Sequence, residues 1–180
     1  NLLQQFYNLT DTALAGHLLG AAALAQIGAT AALYGLIMNF AFGMNNGLAL
    51  TVSRCFGAGE REGIRRAVGW MVTLSAAVSI VLTTVSLLGR GALLQVLQVP
   101  AEVWDGAAAY LTVILLGIPL TMLYNMEAAL LRAVGNSVTP LLFLLFSSVL
   151  NVGLDAAFMG PLGMGVRGAA VATVLAQGIS

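Results

Sequence analysis

Four stretches of this chain carry no charged residue: Ala21 to Ser53, Ala67 to Leu88, Gly106 to Met126 and Ala133 to Leu154. Each has about 20 residues or more, enough to cross ~30 Å of hydrocarbon at 1.5 Å per helical residue. Hydrocarbon offers the backbone no water to bond, so only helices and closed barrels span it. Barrel strands alternate apolar and polar positions over ~10 residues. These runs are longer and continuously apolar. The expected class is therefore all-α, a polytopic transmembrane helix bundle. Charged residues make up 8% of the chain, against ~25% in soluble domains, so a solvated surface cannot be built from this sequence.

The same scarcity narrows function. Every one of the 7 basic residues is Arg, so a Walker-type phosphate loop, which needs Lys, is excluded. Net charge is zero and no basic patch with interleaved aromatics occurs, so no nucleic-acid partner is expected. The single Cys55 excludes an intrachain disulfide framework or a Cys-cluster metal site. No nucleophile–base pair or metal-ligand cluster is visible, so no enzyme activity and no organic cofactor are expected.

Six spans are expected, over residues 1–16, 21–53, 66–89, 104–132, 137–159 and 166–180. The first and sixth lack a cap or charged flank at the chain ends and read as truncated. No basic region precedes an apolar run as in a signal peptide. The second run is too long for one perpendicular crossing, and Gly28, Gly35, Gly43 and Gly47 predict a tilted or bent helix. Gly43-x-x-x-Gly47 predicts a close approach of two helices. Pro119 should kink the fourth span. Arg54, Arg61, Arg65, Arg66 and Arg132 fall on one side, Arg90 and Arg167 on the other. Five against two makes the first side, and the N-terminus, cytoplasmic.

Three charges fall inside spans: Asp11, Glu127 and Asp155. A carboxylate at a helix centre costs roughly 2.5–3.5 kcal/mol on insertion scales, so such residues are functional candidates. Gln4, Asn8 and Asp11 share one face of the first span at i, i+4, i+7. Ser147, Asn151 and Asp155 share one face of the fifth at i, i+4, i+8, and Thr173 and Gln177 one face of the sixth. Asp11 lies ~14 Å before the outer Gly20, Asp155 ~8 Å before Gly160, and Thr173 ~15 Å after Gly163. Asp11, Asn151, Asp155 and Thr173 form an expected oxygen-rich site for a proton or Na⁺. A hard cation takes such oxygens, and two carboxylates side by side in a low dielectric share a proton readily. Asn8, Ser147 and Gln177 are secondary candidates. Glu127, five residues before Arg132, is read as a local salt bridge or gating residue, or as part of the transport path. Met38, Met44, Met122 and Met126 are read as packing or as walls of an adaptable apolar cavity.

The residues around these positions resemble the multidrug and toxic compound extrusion (MATE) family. The likeness runs through Asn8-Leu-Thr-Asp11, Gly57-Ala-Gly59-Glu60 and Leu131-Arg132-Ala-Val-Gly135-Asn136-Ser137-Val-Thr139-Pro140. It continues in Leu150-Asn151-Val-Gly-Leu154-Asp155 and Met164-Gly165-Val-Arg-Gly168-Ala-Ala-Val-Ala172-Thr173. The resemblance implies a twelve-helix fold of two six-helix lobes, of which this chain is the N-terminal one, working as a monomer with a missing C-terminal lobe. It implies a multi-pass protein of the plasma membrane that exports organic cations, drugs or other amphipathic compounds in exchange for H⁺ or Na⁺. It assigns the N-lobe cation site to Asp11, Asn151, Asp155 and Thr173. The alternative is a lipid-linked saccharide flippase of the same superfamily, for which more cavity-facing arginines are expected.

Overall fold

The computed structural model describes residues 12–180. The described part of the first helix, α1, covers residues 12–19. It is followed by α2 (Ala21–Gly57), α3 (Arg61–Leu88), the short α4 (Arg90–Val96), a 3₁₀ turn (Ala101–Val103), α5 (Trp104–Leu116), α6 (Ile118–Ala133), α7 (Val138–Met159) and α8 (Val166–Ile179). No strand occurs among the described residues.

The long apolar run becomes one unbroken helix of 37 residues, about 55 Å at 1.5 Å per residue. Its glycines do not break it. It stops at Ala58–Glu60, where Gly59 takes φ +69°, a left-handed conformation that a Cβ disfavours. The turn is closed by Gly59 N–H on Phe56 O at 3.1 Å and Glu60 N–H on Cys55 O at 3.0 Å. The arginines read as a loop therefore sit on helix ends: Arg54 in the last turn of α2, Arg61, Arg65 and Arg66 in the first turns of α3.

The expected kink in the fourth span appears at Gly117. There α5 and α6 meet at 47°. Pro119, in the first turn of α6, has no N–H to return to the carbonyl four residues back. The reason for glycine at 117 is steric: a Cβ there would overlap the Val174 side chain of α8.

Three apolar clusters stack along the bundle. One joins Ala23, Tyr110, Ile114, Met159 and Ala170. A second joins Ile37, Ala41, Leu111, Leu115 and Met122. The third brings Ala49 and Val52 of α2, Ala67 and Met71 of α3, and Met126 and Ala129 of α6 together. That third contact gathers the C-terminal ends of α2 and α6 with the start of α3. Arg54, Arg61, Arg65, Arg66 and Arg132 consequently share one end of the bundle.

The outside is apolar. Leu50, Trp70, Ile80, Val85 and Val149 are all more than half exposed, a surface suited to lipid rather than water. Gly43 and Gly47 lie on such a face. A Cβ at either would meet nothing within 4 Å, so among the described residues no helix makes the close approach expected there. The close contacts fall elsewhere, at Gly117 against Val174 and at Gly106 against Gln26.

Candidate cation site

The helix α7 buries one stripe: Pro140, Ser147, Asn151, Asp155 and Met159. Spacings of seven and four place these on one side, and α8 packs along this helix, meeting Asn151 at Thr173. Asp155 and Asn151 are 0% exposed and Thr173 2%. The polar face read from the sequence is thus the packed face.

The Asn151 amide joins the two helices. With its nitrogen toward Asp155, Nδ2 donates to Asp155 Oδ2 at 3.2 Å and Oδ1 accepts from the Thr173 backbone N–H at 3.2 Å. In the reverse orientation Nδ2 reaches only Thr173 Oγ1, at 3.5 Å. The first arrangement places a donor on the carboxylate, which accepts hydrogen bonds, and satisfies both ends of the amide. The Thr173 hydroxyl donates to Ala169 O at 3.0 Å, which leaves its oxygen lone pairs open. Thr173 sits level with Asn151, one turn deeper along α7 than Asp155.

Ionising a carboxylate in this setting costs several kcal/mol unless a partner cation or hydrogen bonds offset it. In the orientation that satisfies both its ends, the amide turns its nitrogen to Asp155 and its oxygen to Thr173, so the hard oxygens are the carboxylate on one side of the amide and the amide oxygen and Thr173 hydroxyl on the other. They fit a proton or a hard monovalent cation and offer nothing for a soft metal.

The remaining expected site residues divide. Asp11 and Asn8 lie outside the described residues. Ser147 is buried one turn from Asn151, but no side-chain hydrogen bond ties it to Asn151, Asp155 or Thr173. Gln177 turns to another helix, its Oε1 accepting from Thr121 Oγ1 of α6 at 2.7 Å. Glu127 is exposed on α6 and forms no ion pair with Arg132. Five residues turn a helix by roughly 140°, so the two side chains leave on different faces. Arg132 instead donates to Asn46 Oδ1 at 3.2 Å and lies 5.6 Å from the Phe42 ring centroid. Of the four methionines, Met122 and Met126 line a cavity of about 220 Å³ between α3 and α6, with Ser75, Ser79 and Pro119.

Sequence reasoning missed six buried polar residues among those described: Thr30, Asn45, Ser75, Ser79, Thr121 and Asn125. Ser75 Oγ donates to Asn45 Oδ1 at 2.8 Å, joining α3 to α2. Thr121 and Asn125 are buried on α6, where Asn125 Nδ2 donates to Thr121 O at 2.8 Å. The signal was present: Asn45 is an amide deep in an apolar run, and Thr121 and Asn125 have the same i, i+4 spacing as Asn151 and Asp155.

A family model for MatE matches residues 1–157. The chain belongs to the MatE family. It is 32% identical over its whole length to "Probable multidrug resistance protein YpnP" of Bacillus subtilis, covering 40% of that protein. It is 30% identical, over 98% of its length, to "Probable multidrug resistance protein NorM" of Thermotoga maritima, covering 39% of it. Among solved structures, it matches a multidrug resistance MATE family transporter in an outward-facing conformation, with TM-score 0.91 and 29% identity. An inward-facing conformation of a MATE family transporter matches with TM-score 0.90 and 29% identity. These alignments cover 98% and 97% of this chain and 39% of each transporter chain. The chain therefore spans about two fifths of the MatE relatives it matches.

Proposed function

We infer that this chain is the N-terminal lobe of a secondary antiporter that exports organic cations, drugs or other amphipathic compounds in exchange for H⁺ or Na⁺. The observation that carries this reading is Asp155, fully buried in the apolar bundle and bracketed by Asn151 and Thr173. An intramembrane carboxylate is expensive and marks ion pathways by default. The names of the MatE relatives, multidrug resistance proteins, support the export reading.

The lobe matches chains from inward-facing and outward-facing transporters about equally, with TM-scores of 0.90 and 0.91. That supports a lobe that moves as one body against a second lobe, as alternating access by rocking requires. Coupling then follows from differential affinity: the cation favours one orientation of the lobes, and cargo the other. In this reading Asp11 joins Asp155 as the second carboxylate of the cation site, and the Arg-rich end faces the cytoplasm of a plasma-membrane protein.

The test is Asp155→Asn together with Asp11→Asn in the full-length protein, reconstituted in vesicles with an imposed proton or Na⁺ gradient. Gradient-driven efflux of an organic cation should fall at least tenfold while the protein remains folded. Efflux at the wild-type rate would show that the carboxylates do not couple it.

A further inference from the structure

A second polar site lies at the Arg-rich end and takes no part in the cation site. A cleft of about 150 Å³ opens between α2, α6 and α7, lined among others by Phe42, Tyr124, Arg132, Ser137, Leu141 and Leu144. Drug-sized ligands use about 300–1,000 Å³, so it is too small for such a cargo.

The chemistry of its walls is one-sided. Among the described residues, Arg132 is the cation in the lining, and none of the lining residues is a carboxylate. The ion pairs among the described residues involve Glu62 with Arg65 and Arg66, not Arg132. One donor of the guanidinium is held by Asn46 and its flank lies on the Phe42 ring. Those two contacts fix its direction and leave further N–H donors of the fork for an anion. Ser137 stands at the N-terminus of α7 and makes no capping hydrogen bond with its side chain. A hydroxyl beside a helix N-terminus adds a second anion-favouring element to the guanidinium. The opposite wall is Leu141 and Leu144, and exposed apolar residues continue from it along α7 at Leu145 and Val149.

We propose that this cleft binds the phosphodiester head group of an anionic membrane lipid, with an acyl chain lying along α7. Arginine recognises phosphate oxygens through a planar fork with charge-assisted bonds. A free phosphate would use the guanidinium and the hydroxyl but leave the apolar wall bare. A lipid uses both, and its head group sits at the membrane boundary where the arginines gather. A zwitterionic lipid brings its own cation, for which the described lining offers no carboxylate.

The experiment uses the full-length transporter, stripped of native lipid and offered phosphatidylglycerol or phosphatidylcholine. Retained lipid is counted by native mass spectrometry, and no ion gradient is needed, so the result does not depend on antiport. Wild-type protein should retain phosphatidylglycerol over phosphatidylcholine, Arg132→Gln should lose about tenfold of that retention, and Arg132→Lys should recover part of it. Ser137→Ala and Phe42→Leu keep the guanidinium and should each lose about threefold, which covers the case in which Arg132→Gln does not fold. Equal retention by wild type and Arg132→Gln overturns the proposal, as does unchanged retention in both milder variants. Equal retention of the two lipids by the wild type overturns it too. Retention of inorganic phosphate with displacement of phosphatidylglycerol would assign the cleft to free phosphate and overturn the lipid assignment.

Discussion

The Thr121 hydroxyl donates to Gln177 Oε1 at 2.7 Å, one turn of α8 beyond the threonine that faces Asn151. With the Asn45–Ser75 bond and the Asn151–Thr173 contact, it completes a set of polar ties that fasten α2 to α3, α6 to α8 and α7 to α8. Lipid tails compete poorly for hydrogen bonds, so such ties persist between membrane helices, although each contributes only about 0.6–2 kcal/mol.

Thr121→Val should therefore destabilise the lobe by about 0.5–2 kcal/mol, since it removes the donor and leaves the buried Gln177 carbonyl unsatisfied. Thr121→Ser should restore most of the loss. Unfolding in mixed detergent micelles measures both, and a valine variant as stable as wild type would show that the bond contributes nothing.

Gly117→Ala should cost about 1–3 kcal/mol, because the added methyl overlaps Val174 in a packed contact that cannot expand freely. Val174→Ala in the same protein makes room for it. The pair should be markedly less damaging than the sum of the single changes, the coupling expected of residues in contact. Strict additivity in a double-mutant cycle would argue against the packing.

Gly43→Ala and Gly47→Ala should be neutral or stabilising by up to ~1 kcal/mol each, through helix propensity alone, because a Cβ at either position meets only open space among the described residues. Thermal unfolding of the isolated chain and of the full-length protein separates two cases. A loss seen only in the full-length protein would place another segment of it against this face of α2.

Cys55 is the one cysteine of the chain and stands at the Arg-rich end, partly exposed. With any other cysteine of the full-length protein replaced, a membrane-impermeant maleimide should label Cys55 in inside-out vesicles and leave it unlabelled in right-side-out vesicles. The opposite pattern reverses the orientation inferred from the arginines.

Much of the site was legible because of the cost of polarity in hydrocarbon. Ser147, Asn151 and Asp155 stand out in an apolar span, and helical spacing alone places them on one face. Their buried side was legible for the same reason. Which neighbour each polar group meets was not. Thr173 and Gln177 share a face in sequence, yet the first pairs with α7 and the second with α6, because α8 packs against both α7 and the bent α5–α6 span. Glu127 and Arg132 are close in sequence, yet leave α6 on different faces, and Arg132 finds Asn46 across 86 positions of chain.

The sequence by itself determined the class of protein and the candidates for an ion site, since hydropathy and charge act locally and each residue carries its own transfer cost. The tertiary structure alone decided which helices touch. It set the bend at Gly117 against Val174, left Gly43 and Gly47 without a close neighbour among the described residues, and formed the Arg132 cleft from three helices. Packing is a property of pairs of surfaces, and no single apolar run states which other run it will meet.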